Sequence, residues 1–135
     1  MSIEHVTAAL RDALLAADAV IYNQGSSGAY VERLMAELGI ADRLQGRTVR
    51  VLNGEAVMER LAGSRGTALA FLAMSDAIHA TGLQYAGALP PALQNFTTYE
   101  AAVMTGAREP LAAAEFLRTL TTDASRRTFR DAGVD

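Results

Sequence analysis

Tyr22-Asn23-Gln24-Gly25-Ser26-Ser27-Gly28-Ala29-Tyr30 is the stretch on which the reading of this chain turns. Before it, Ala19-Val20-Ile21-Tyr22 has the unbroken apolar character of a short buried strand. After it, Val31, Leu34, Met35 and Leu38 recur at the spacing of one helical face. The glycines allow a sharp change of direction, and Ser26 or Ser27 can cap the first turn of the helix. A helix start presents unpaired amide donors and a partial positive charge, so such a corner suits an oxygen-rich anion. The same turn also serves as a plain strand-to-helix connection, and the residues alone leave both readings open.

Outward from this corner, strands and helices alternate. Ile3, Val6, Leu10 and Leu14 mark an opening helix with Ser2 as its N-cap, and Gly39 is placed to stop the helix that follows the corner. Thr48–Leu52 reads as a second strand, and Asn53-Gly54 turns it into a short helix carrying Val57 and Leu61. The apolar run Ala68–Leu72 reads as a central parallel strand buried on both faces. Ser75-Asp76 opens a short helix predicted to reach about Thr81, with Gly82 as its stop. Leu83–Ala88 and Phe96–Met104 read as a fourth and a fifth strand. Pro110 suits the first turn of a helix bearing Leu111, Ala114, Phe116, Leu117 and Leu120, and a last helix runs from about Asp123 to Arg130. The expected fold class is therefore α/β: a single domain over 1–135, with a largely parallel five-stranded sheet and helices on both faces.

Composition narrows the functions. Half of the 135 residues are hydrophobic, enough for a real core, and the net charge is only −3. All twelve basic residues are arginines, scattered except for Arg126, Arg127 and Arg130, so no basic stripe suggests nucleic acid. There is no cysteine, which removes disulfides, thiolate nucleophiles and zinc knuckles together. His5 and His79 have no companions at metal-ligand spacing, so no metal and no cofactor is expected. Asp76 and His79 stand three apart, as in a surface pair, and no G-x-S-x-G elbow accompanies them or Ser27. Gly63-Ser64-Arg65-Gly66 lacks the lysine of a phosphate loop. No apolar segment approaches a membrane span, and the N-terminus has no secretory pattern. The expected station is the cytoplasm for the chain as written, or the periplasm if it is a fragment of a longer secreted protein.

Five pieces in order carry a resemblance: Gly25–Tyr30 with Leu38-Gly39-Ile40, Gly66–Phe71 with Ser75-Asp76, Gly87–Gln94, Thr98–Val103, and Ala114–Leu117 with Phe129 and Ala132-Gly133. Together they resemble the second lobe and C-terminal part of molybdate-type solute-binding proteins of ABC transporters, which have the type II periplasmic binding protein fold. The resemblance implies a non-catalytic binding domain with the first lobe absent. It places a small anion on Ser26, Ser27 and Gly28, with Ala29 and Tyr30 behind them, and puts further contacts near Glu55 and Ser75. Several molybdate binders have a tyrosine hydroxyl near the position held here by Ala73, and Glu55 would set a negative charge near an anion. The alternative is a cytoplasmic sensor or regulatory module that kept the fold and binds another small molecule. A homodimer, or pairing with another chain, is expected to supply the missing wall.

Overall fold

A computed structural model describes residues 2–134, the side chain of Ile3 excepted. The chain divides into two compact units, Met1–Phe96 and Thr97–Asp135.

The first unit opens with α1 (Ile3–Ala16), whose Ser2 hydroxyl accepts a hydrogen bond from the His5 amide, as its sequence predicts. Next come β1 (Ala19–Asn23), α2 (Ser26–Glu37), a 3-10 turn (Asp42–Leu44), β2 (Thr48–Val51), α3 (Gly54–Ala62), β3 (Ala68–Ala70) and α4 (Met74–Ala77). The sheet has three parallel strands in the order β2-β1-β3. The central strand is thus β1, with Val20, Ile21 and Tyr22 all buried. The run at 68–72, expected to be central, supplies only the edge strand β3. Two of its three residues are alanines and all three are half-buried. Gly39, at φ 66°, ends the turn after α2, as expected of a left-handed stop.

Side chains alternate across a strand, so Val20 and Tyr22 share one face of β1 and Ile21 takes the other. Val20 and Tyr22 pack with Leu14, Ala17, Val31, Met35, Ile40 and Leu44, from α1, α2 and the turn that follows them. Ile21 is fully buried outside that cluster, as is Val57 of α3, which packs on β1 and β3. Helices therefore cover both faces of the sheet. Arg47 ties this half together: its Nη1 donates to the carbonyls of Leu15 and Ala17 at 2.9 and 2.8 Å, and its Nη2 donates to that of Arg43 at 2.9 Å. One guanidinium thus satisfies carbonyls at the end of α1 and in the following turn. Where the chain enters β3, Asp18 Oδ2 accepts from the Thr67 amide at 2.7 Å. Gly66, at φ 77°, lies against that carboxylate, where a β-carbon would collide.

Two of the five expected strands do not form. Leu83–Ala88 is irregular, flanked and interrupted by Gly82 at φ 75° and Gly87 at φ 118°, conformations that break a ladder. Phe96–Met104 has no strand beside it among the described residues, so its β-forming side chains have nothing to pair with. The helix expected to reach Thr81 stops at Ala77, and a 3-10 turn forms at Pro91–Leu93.

The second unit contains α5 (Pro110–Leu120), with Pro110 in its first turn, and α6 (Asp123–Asp131), capped by the Thr122 hydroxyl. The two helices pack together. No described residue of this unit is buried.

Candidate functional site at the carboxyl end of the sheet

Because all three strands run parallel, their carboxyl ends and the turns that leave them gather at one edge. Asn23 pairs with Val51, and the Phe71 amide donates to the Ile21 carbonyl. At about 4.8 Å between strands, the three tips lie within roughly 10 Å. The chain leaves β1 toward β2, then crosses back to β3 on the other side. The reversal sits between β1 and β3, where open α/β sheets bind ligands.

At the tip of β1 the corner is organised by Asn23, which sequence reasoning did not single out. Its Oδ1 accepts from the Gly25 amide at 2.9 Å and from the Ser27 hydroxyl at 3.2 Å. The expected serine cap does not form. Gly25 is the N-cap residue, without a side-chain bond, and Ser26 and Ser27 are already helical. Ser27 Oγ faces Asn23 because an asparagine two residues before a glycine folds back on its own turn. Gly28 is buried, and a β-carbon there would stand 1.7 Å from the Asn23 carbonyl oxygen. This glycine lets α2 start hard against the end of β1.

Three donors remain. The Ala29 amide bonds to the Gly25 carbonyl, whereas the amides of Ser26, Ser27 and Gly28 have no protein acceptor among the described residues. The first turn of α2 holds no acidic side chain. Ala29 is exposed and offers only backbone. Tyr30 is engaged elsewhere: its hydroxyl donates to the Leu93 carbonyl, fastening the 3-10 turn to α2, and Arg33 lies over its ring at 5.6 Å. Its phenol is pushed above the ordinary tyrosine value, by burial first and the Glu37 charge second, with Arg33 opposing.

The start of α3 is arranged differently. The Asn53 side chain accepts from the Ala56 amide at 2.9 Å, Glu55 stands exposed in the first turn, and the Asp76 carboxylate presses on Gly54. Since Gly54 follows β2 and Asp76 follows β3, this contact bridges the two outer strands. It also brings the Asp76 carboxylate, with Glu55, beside the positive end of α3. Ser75 is half-buried in the single turn of α4, and Ala73 at its N-cap gives no side-chain bond. His79 is exposed beyond α4, and the Ser27 hydroxyl bonds to Asn23, so the imagined Ser27, His79 and Asp76 set shares no hydrogen bond.

On the opposite side of α2, Tyr22 donates to Glu32 Oε1 at 3.3 Å, and Arg50 reaches the same oxygen at 3.4 Å. Burial, then Glu32, raises the Tyr22 phenol above its ordinary value. An open depression of about 360 Å³ lies between α1 and the end of α2. It is lined by none of the expected site residues. Among the described residues, no helix is long and apolar enough to cross a membrane, and no group of three or more metal-ligating side chains comes together.

No curated protein and no solved structure matches the chain. The family model described as bacterial extracellular solute-binding protein matches residues 4–135. A parallel sheet flanked by helices, with donors gathered at its carboxyl edge, is consistent with that match, and the chain belongs to the bacterial extracellular solute-binding protein family.

Proposed function

We propose that this domain binds a small oxyanion or other anionic solute at the start of α2, as a non-catalytic receptor part related to molybdate-type binding proteins. The observation that carries this reading is the contrast between two helix starts at one sheet edge. That of α2 has three amides without acceptors and no acid, whereas at that of α3 the Asn53 side chain takes the Ala56 amide and the Asp76 and Glu55 carboxylates stand beside the helix start. Ser26, Ser27 and Gly28 supply the donors. Ala29 continues the wall, Tyr30 holds the adjoining turn, and Ser75 offers a hydroxyl from the β3 side.

Magnitudes set the expected affinity. Charge-assisted hydrogen bonds contribute roughly 1.5 to 3 kcal/mol each, and immobilising a ligand costs about 4 kcal/mol or more. Three amides without a closing wall, one of them on the buried Gly28, therefore give binding of about −5 kcal/mol at most, near the millimolar range. A second wall, from another lobe or chain, would exclude water and add donors.

Glu55 and Asp76 favour a second reading, in which the solute carries a cationic or hydroxyl group on that side and the domain serves as a sensor of a small metabolite. The family's description favours the periplasmic of the two stations expected from the sequence. Thermal unfolding against panels of oxyanions, carboxylates and amines separates the readings. Ligand at ten times its dissociation constant stabilises by about 1.4 kcal/mol, a few degrees in midpoint. Stabilisation by molybdate, sulfate or phosphate that grows in Asp76→Asn supports the first reading. Stabilisation by amines alone, lost in Asp76→Asn, supports the second. No response to any panel removes both.

A further inference from the structure

We propose that residues 81–94 form a releasable strap beside the solute site, and that the Tyr30 hydroxyl is the catch that holds it. The strap begins shortly after α4, which follows β3, and ends in the 3-10 turn Pro91–Leu93, fastened to α2, which follows β1. Its two anchors therefore stand on either side of the reversal between β1 and β3. Neighbouring strands lie about 5 Å apart, whereas a dozen residues of extended chain reach roughly 40 Å, so the connection is far longer than the gap requires. Little else ties it down. Among the described residues, Leu93 and Gln94 bond back only to Pro90 and Pro91, and the single hydrogen bond from residues 81–94 to the rest of the unit is that of Tyr30 with the Leu93 carbonyl. No residue of the strap is buried, and a β-carbon added at Gly82 or Gly87 would meet nothing, so its turns stand in open space.

The catch is placed to bear on the site. Tyr30 comes four positions after Ser26 and shares its face of α2, and a helical side chain leans over the turn that precedes its own α-carbon. The Leu93 carbonyl at its tip is thus brought beside the first turn, whose Ser26, Ser27 and Gly28 amides have no acceptor among the described residues. The strap therefore does not plug those donors. Held by Tyr30, it shields one flank of them from water. The hydroxyl also occupies the Leu93 carbonyl, which, once released, would set a bare negative dipole near donors that an anion needs. One hydrogen bond shifts the ratio of fastened to released strap only roughly two- to tenfold, so the catch opens readily. The effect on solute binding rests on the reading of the α2 start as the site, whereas the catch rests on the contact alone.

Tyr30→Phe keeps the ring and removes the catch. The chain has no cysteine, so nitroxides on Ala36→Cys in α2 and Ala92→Cys in the strap, both exposed, report the distance between them without interference. With Tyr30 in place, one narrow distance is expected. Tyr30→Phe should raise the population at other, broader distances by roughly two- to tenfold. Tyr85→Phe, which takes a hydroxyl from the strap and leaves the catch, should match the unsubstituted chain. Sulfate or molybdate, followed at the Ser26, Ser27 and Gly28 amides, should bind roughly two- to tenfold more weakly in Tyr30→Phe. Distances unchanged by Tyr30→Phe overturn the proposal, as do equal broadening in Tyr85→Phe and broadening without any loss of affinity. Silence of those amides in the unsubstituted chain removes the solute reading instead, and broadening confined to Tyr30→Phe then still upholds the catch.

Discussion

Every fully withdrawn hydrophobic side chain among the described residues lies between Leu14 and Val57; the stretch from Leu72 to Val134 contributes none. The two regions do not differ for want of apolar residues, since the second holds Phe96, Tyr99, Met104, Leu111 and Phe116. They differ in partners. In the first, three parallel strands and the helices between them bring apolar faces together within one short length of chain. In the second, an extended segment and a helical hairpin present such faces to solvent. Apolar residues become a core only where a partner surface exists, and composition does not say where that partner is.

The largest effects are expected where the first region is densest. Leu14→Ala or Leu44→Ala should destabilise by about 2–5 kcal/mol in urea unfolding, the range for a large aliphatic side chain lost from a closed core. Gly28→Ala should approach about 3 kcal/mol, the upper end of overpacking, because the obstacle is the Asn23 carbonyl rather than a movable side chain. A loss below about 0.5 kcal/mol at either site would mean that the packing around β1 is not as described.

That region was also the more legible in the sequence. The helical spacing of Val31, Leu34 and Met35, the Ser2 cap, the Asn53-Gly54 turn into α3 and the Gly39 stop are local signals, as is Pro110 at the start of α5 in the second region, and each appears where the residues put it. What the sequence concealed is non-local. Phe96–Met104 has the side chains of a strand, but whether a strand pairs is decided by its neighbour. The Arg47 clamp joins residues about thirty positions apart. At the candidate site, the serines and glycines of the corner were visible as types. The Asn23 fold-back has a local signal, an asparagine two residues before a glycine, but the meeting of Asp76 with Gly54 depends on the order of the strands.

Intermediate effects sharpen the comparison through polar contacts. Arg47→Ala, which strips one half-buried guanidinium from three carbonyls, should cost about 2 kcal/mol, and Arg47→Lys should recover only part of it. Asn53→Ala, which removes the cap of α3, should cost about 1 kcal/mol, whereas Ser26→Ala at the uncapped start of α2 should leave stability nearly unchanged.

Alkaline titration gives a smaller signal. The folded state holds the Tyr22 proton above its ordinary value through burial and Glu32. The stabilisation is complete below the unfolded phenol's value of about 10 and is lost as pH rises through the folded one. Stability should therefore fall above about pH 10, and Tyr22→Phe should flatten that fall. The smallest effect belongs to the second region: in the isolated protomer, Leu111→Ala or Phe96→Ser should change stability by less than about 0.5 kcal/mol, as expected of exposed side chains.

The contrast between the two helix starts is tested most directly by following backbone amides in a nuclear magnetic resonance titration with molybdate, sulfate and phosphate up to ten millimolar or so. Saturable shifts at Ser26, Ser27 and Gly28, with Gly54, Glu55 and Ala56 unmoved, are the expected result. Silence at the first set, or shifts confined to the second, would contradict the assignment of the α2 start as the anion site.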